Sequence, residues 1–102
     1  MRVILSSCPP DKAEAIATAL VERRVAACVS VLPGAISTYR WQGAVQRDTE
    51  HLLLIKVPAE GLARCIEVLS EVHPYEVPEI LALPVDHANA SYADWARQMV
   101  AD

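Results

Sequence analysis

Two long extended stretches that meet at one short turn constrain this chain more than any other feature of its sequence. Val25 to Leu32 is an apolar, valine-rich run. After Pro33-Gly34, side chains of two kinds alternate with strand periodicity as far as Gln42-Gly43. Residues 44–57 are again extended and end in an apolar run. A two-residue step containing glycine, flanked by alternating side chains, is typical of a β-hairpin turn.

The register of this hairpin follows from counting outward from the turn, which places Tyr39 opposite Gln46. Two irregular points, Pro33-Gly34 and Arg47-Asp48, then fall on opposing strands close to each other. Proline and glycine are tolerated in strands mainly at bulges and edges. The sequence therefore predicts a long, kinked hairpin.

The regions on either side of the hairpin each predict one strand and one helix. Val3 to Leu5 is a short apolar run that ends before Pro9-Pro10, and apolar residues at helical spacing follow Asp11. A second amphipathic helix starts at Pro58 and stops at Pro74, and a strand follows over Val77 to Leu83.

A final helix follows residue 91, where Ser91 and Asp94 have the spacing of a capping box. The complete order is β-α-β-β-α-β plus a terminal helix. This order predicts an α+β, ferredoxin-like antiparallel sheet with helices on one face, in a single domain over residues 1–102. The other sheet face needs a cover, and neighbouring subunits would provide one.

Composition favours an assembly and excludes several classes of partner. Of 102 residues, 53% are hydrophobic, which is a surplus for a small domain, although a well-filled monomer core is the alternative. The net charge is −4 and the basic residues are scattered, so no nucleic-acid partner is expected. No apolar stretch is long enough to span a membrane, and no signal peptide is expected. An odd number of cysteines, three, indicates reduced thiols and a cytoplasmic protein.

Several segments in order along the chain resemble the CutA (divalent-cation tolerance) family. They are LVERRVAACVS at 20–30, the Pro33-Gly34 step, the alternation from Ser37 to Gly43, an acidic residue before an apolar strand at 50–56, HPYEVPE at 73–79, and Tyr92 with Trp95. The resemblance covers nearly the whole chain. It implies a homotrimer that takes part in tolerance of divalent cations, copper especially, by binding or sensing rather than by turnover.

The metal-ligand candidates are His73 and Cys8, for Cu²⁺ or another divalent cation. Imidazole and thiolate suit copper, and the end of the first strand could approach the end of the second helix. The alternative for His73 is a structural histidine at a helix C-terminus. Val72 stands where some members of the family carry a second histidine. Cys28 and Cys65 lie in apolar runs and are expected to be buried.

A ligand-binding cleft between subunits is the second candidate site. Its predicted residues are the aromatic and charged side chains on or beside the apolar strands and the last helix: Tyr39, Trp41, Glu50, Lys56, Tyr75, Glu76, Glu79 and Trp95. The aromatic members could instead be interface anchors, and Lys56 could instead form an intersubunit ion pair.

Two other functions are alternatives to metal tolerance for a chain with this order of elements. PII proteins are signalling trimers with this plan and bind a small anionic molecule in their lateral clefts, where backbone amides together with Lys56 or Arg40 would contact the phosphates. Acylphosphatases share the fold class but need an arginine in the loop after the first strand, and residues 6–10 (SSCPP) contain none. The sequence therefore predicts no enzyme and no organic cofactor.

Overall fold

The chain forms a four-stranded antiparallel sheet with three helices, and the computed structural model describes residues 1–100. The strands are β1 (Arg2–Cys8), β2 (Cys28–Trp41), β3 (Ala44–Val57) and β4 (Leu81–Pro84), and the helices are α1 (Ala13–Glu22), α2 (Leu62–Val72) and α3 (Ala90–Met99). The strand order is β2-β3-β1-β4. The predicted ferredoxin-like order with an additional C-terminal helix is thereby confirmed.

The core lies between one face of the sheet and helices α1 and α2. Alternate residues of the central strands, such as Ile4, Leu53 and Ile55, are fully buried there against Leu20 and Leu69. Because strand side chains alternate between faces, the even-numbered residues of β3 lie on the opposite face. No helix within residues 1–100 is long and apolar enough to cross a membrane.

The hairpin of β2 and β3 has the predicted register, with Tyr39 paired to Gln46. Gln42 and Gly43 both have positive φ angles, 50° and 81°, as a two-residue hairpin turn of the primed type requires. The register shifts between Leu32 and Ala35, so the Pro33-Gly34 bulge is confirmed.

The second predicted irregularity is wrong. Arg47 and Asp48 pair in unbroken register with Thr38 and Ser37, because both side chains find polar neighbours across the strand. Arg47 donates to the Thr38 hydroxyl at 3.3 Å, and Asp48 accepts from the hydroxyl of Tyr39.

Two element boundaries also differ from the prediction. β4 begins at Leu81 rather than Val77, because the backbone carbonyl of Glu79 accepts a bond from the Ser6 hydroxyl at 2.6 Å and not from a strand neighbour. Asn89, not Ser91, caps α3, and its side chain accepts from the Ser91 N–H at 3.0 Å.

Candidate functional site

A groove of about 620 Å³ lies where β1 ends and the hairpin continues alone. β1 pairs with β3 only as far as Cys8 opposite His51, so the next residue of β3, Glu50, lies just beyond the three-stranded part of the sheet. One wall comes from the hairpin and the other from the loop between α2 and β4. The lining residues are Ser7, Ser37, Thr38, Tyr39, Trp41, Glu50, Tyr75, Glu76, Val77, Pro78 and Glu79.

The groove contains six of the eight side chains predicted for the cleft and leaves out two. Lys56 lies six residues from Glu50 along β3, roughly 20 Å away at the strand rise of about 3.3 Å. Its ammonium donates to the Ser30 hydroxyl at 2.6 Å and to the Leu54 carbonyl at 3.2 Å. Trp95 lies on α3 and contacts the ring of Tyr92, with 5.6 Å between ring centroids. The structure therefore does not bring Lys56 or Trp95 to the groove.

Glu50 is the buried charge of the groove, with 5% of its surface exposed. Its Oε2 accepts a hydrogen bond of 2.6 Å from the Tyr75 hydroxyl. Among residues 1–100, no lysine, arginine or histidine forms an ion pair with it. The carboxylate is therefore largely shielded from water, and within residues 1–100 its one hydrogen-bond donor is neutral.

The two tyrosines of the groove are held protonated. Burial, followed by the bond to Glu50, raises the pKa of Tyr75 well above its ordinary value. The hydrogen bond to Asp48 raises the pKa of Tyr39. Both phenols therefore donate to carboxylates. The ring of Tyr75 also packs against the ring of His73, with 4.9 Å between the ring centroids.

His73 fastens the loop wall to the end of β1. It follows the last residue of α2 and is 6% exposed. Its Nε2 lies 2.8 Å from the Ser7 carbonyl, and its Nδ1 lies 3.1 Å from the backbone N–H of Tyr75. A carbonyl only accepts and a backbone N–H only donates, so the ring carries its proton on Nε2 and uses its Nδ1 lone pair for Tyr75.

These bonds leave His73 unsuited to a metal ion, because a ligand needs a free nitrogen lone pair. Cys8, the other predicted ligand, is fully buried, and burial together with the charges of Glu50 and Asp11 raises the pKa of its thiol. A cysteine binds a metal ion as the thiolate, and a raised pKa disfavours that form. No three His, Cys, Asp or Glu side chains within residues 1–100 form a cluster that could hold a metal ion. The residues predicted for copper do not fit it in this arrangement.

Sequence reasoning missed the polar partners that organise the groove. Asp48 was expected to interrupt a strand, yet it faces the groove side of the hairpin and orients Tyr39. Ser6 and Ser7 hold the loop through a hydroxyl and a carbonyl. The alternation of Ser37 and Tyr39 was the available signal for the hairpin wall, whereas contacts between residues 6–7 and 73–79 have no local sequence signature.

Comparison with known proteins gives consistent similarities over nearly the whole chain. The family described as CutA1 divalent ion tolerance protein matches residues 2–99. A Thermus thermophilus protein named divalent-cation tolerance protein CutA is 47% identical over 97 residues, which are 94% of each chain. The human Protein CutA is 43% identical over 94 residues, which are 91% of this chain but 52% of the human one, so the chain spans about half the length of that relative.

A solved structure shows the same similarity in three dimensions. The PII-like protein CutA from Nostoc sp. PCC 7120, in apo form, superposes with a TM-score of 0.94 and 35% identity. The superposition covers 99% of this chain and 98% of that one.

Proposed function

The chain belongs to the CutA1 divalent ion tolerance family, and from that premise we propose that it acts in divalent-cation tolerance as a binding protein rather than as an enzyme. The groups near the groove that could attack a substrate are held protonated. Cys8 is buried with a raised pKa, and the Tyr75 hydroxyl donates to Glu50. A nucleophile is activated by a lowered pKa or by a base that removes its proton, whereas the pKa values of Cys8 and Tyr75 are both raised.

One observation carries the proposal: the groove offers negative charge and aromatic surface, and none of its lining residues is basic. Glu50, Glu76 and Glu79 supply the carboxylates. A buried carboxylate without an opposite charge is costly, and a bound cation would offset that cost. The groove is therefore proposed to take a positively charged ligand.

The alternative of a PII-like trimer that binds a small anion has less support. The likeness to a protein named PII-like extends to the architecture. An anionic ligand, however, needs basic side chains or free backbone N–H groups around it. Lys56 is remote from the groove, and Arg40, the other expected partner, is not among its lining residues.

A homotrimer is the proposed assembly, as the resemblance to the CutA family implies. On the sheet face away from the helices, Leu81 and Leu83 are about half exposed, at 52% and 50%. Residues 44–50 of β3 pair only with β2, so this part of the hairpin is a two-stranded ribbon, and Ile36 on it is 68% exposed. An isolated ribbon is marginally stable in water, and packing on a neighbouring copy would cover both surfaces.

A copper site at His73 and Cys8 would require the release of the bonds to Ser7 and Tyr75, so we assign no copper step to a single chain. Cys8, Cys28 and Cys65 are free thiols, which suits the reducing cytoplasm. The proposed partners are further copies of this chain and a cationic ligand.

Growth under copper stress tests this function. The host is a bacterial strain from which its own member of the family has been deleted. We expect the wild-type chain to restore growth at raised copper, and Glu50→Gln to restore it poorly at equal expression. Glu14→Gln on α1 is the matched control, because that side chain is exposed and outside the groove. No rescue by the wild type would reject the tolerance role, and full rescue by Glu50→Gln would reject the groove as its site.

A further inference from the structure

We propose that the ligand of the groove is an organic ammonium ion, a protonated amine with an apolar body, rather than a bare metal ion. This inference rests on the proposed cation-binding role of the groove and names the chemical class of the ligand. It is carried by two independent features, a buried carboxylate without a cationic partner and a set of aromatic side chains that line the same groove.

The carboxylate determines the charge of the ligand. Glu50 is only 5% exposed, and its Oε2 already accepts a hydrogen bond from the Tyr75 hydroxyl. Its second oxygen, Oε1, accepts no hydrogen bond within residues 1–100, and it keeps contact with solvent, since no fully buried side-chain oxygen there lacks a partner. An ammonium N–H donates to such an oxygen and neutralises the charge in one contact.

The aromatic walls determine the rest of the ligand. Tyr39 and Trp41 are 41% and 44% exposed on one face of the hairpin, and Tyr75 lies on the opposite wall. Aromatic faces attract cations and bury apolar surface at the same time. A hydrated metal ion would use neither property, whereas an amine with a hydrocarbon or aromatic body uses both.

Metal coordination has weaker support from the same atoms. A divalent ion that prefers oxygen needs several ligands at about 2.0–2.6 Å. The part of the chain that the structure describes holds no cluster of three acidic, histidine or cysteine side chains with that arrangement. One carboxylate suffices for an ammonium ion. The groove volume of about 620 Å³ lies within the range of about 300–1,000 Å³ that small organic ligands occupy.

Calorimetric titration of the full chain tests the inference with three probes: benzylamine, benzyl alcohol and manganese chloride. The alcohol has nearly the shape of the amine without its charge. We expect benzylamine to bind at least tenfold more tightly than benzyl alcohol, equivalent to about 1.4 kcal/mol. Equal affinities for the amine and the alcohol would overturn the inference.

Two variants locate the binding. Glu50→Gln is expected to lower benzylamine affinity at least tenfold, and Glu14→Gln is the matched control that leaves it unchanged. Trp41→Leu keeps an apolar side chain on the exposed hairpin and is expected to lower the affinity about threefold to tenfold, because the apolar body of the ligand loses its aromatic contact. Trp41→Leu also covers the case in which Glu50→Gln disturbs folding, which circular dichroism would detect. Unchanged affinity in both folded variants would overturn the inference.

The probes separate this inference from the proposed function. Manganese binding that depends on Glu50, without amine binding, would overturn the inference and leave a cation-binding groove. Binding of neither probe would overturn both, as expected if a basic residue of a neighbouring copy occupies the groove. Amine binding without growth rescue under copper stress would support the inference and reject the tolerance role.

Discussion

At the scale of single residues, His73 is the clearest case of a side chain whose role depends on its partners rather than on its chemistry. A histidine before a proline at the end of a helix is compatible with metal ligation and with a structural role. The decisive contacts are the carbonyl of Ser7, 66 residues away in the chain, and the N–H of Tyr75. Both ring nitrogens are used to hold the groove wall against β1.

We therefore expect His73→Ala to destabilise the protein by about 2–4 kcal/mol without loss of copper affinity. The variant leaves a cavity and removes the partners of the Ser7 carbonyl and the Tyr75 N–H. Urea unfolding measures the stability, and copper titration of the folded protein measures the affinity. His87→Ala is the control, because that side chain is 94% exposed and its loss should change stability by less than about 0.5 kcal/mol. A tenfold loss of copper affinity at unchanged stability would restore His73 as a ligand.

At the scale of elements, the hairpin is where the backbone depends most on particular residues. Gly43 at the turn and Gly34 at the bulge have φ angles of 81° and 89°. A Cβ at either position would meet no atom within 4 Å, so any cost of adding one arises from the backbone and not from a clash. Residues with a Cβ rarely adopt this conformation.

Gly34→Ala and Gly43→Ala are each expected to lower the free energy of unfolding by about 1–2 kcal/mol. Gln42→Asn provides a control of opposite sign in the same turn. Gln42 has a φ of 50°, a conformation that asparagine tolerates better, so this variant should be as stable as the wild type or slightly more stable. Thermal unfolding measures all three variants. Equal melting temperatures for Gly43→Ala and the wild type would contradict the assigned turn.

The same elements show how far a sequence can predict this structure. The hairpin register was predictable because alternation and turn chemistry are local, and Tyr39 does pair with Gln46. Proline positions separated the helices from the strands. The start of β4 was predicted at Val77, four residues too early, because the bond from Ser6 that holds Glu79 in a loop is a long-range contact.

The candidate site was less predictable than the fold for the same physical reason. Six of the eight predicted cleft residues do line one groove, since they lie near one end of the sheet. Lys56 shares a strand and a face with Glu50, and only the distance along β3 separates it from the groove. The pairing of the Tyr75 hydroxyl with Glu50 depends on how a loop folds over a strand end, which no periodicity encodes.

At the scale of the whole molecule, assembly and heat resistance are expected to depend on each other. Seven prolines restrict the unfolded chain, and only three glycines add freedom to it, so both counts favour the folded state. The chain is elongated, with extents of 45 × 25 × 21 Å. In a single chain, its apolar sheet face and two-stranded ribbon are exposed to solvent. Binding of further copies stabilises the fold by mass action.

We expect sedimentation equilibrium to give the mass of three chains, and the melting temperature to exceed the mesophile range of about 45–65 °C and to fall on dilution. Leu83→Glu places a charge on the apolar sheet face, in register with Val3, and should yield a species of lower mass with a lower melting temperature. Thr18→Glu on the exposed face of α1 adds the same charge and should change neither mass nor melting temperature. Burial of the apolar sheet face between copies would then account for the difference between the two variants, because both carry equal charge. A wild-type monomer that melts within the mesophile range would contradict the proposed assembly, since the apolar face would then be stable in contact with water.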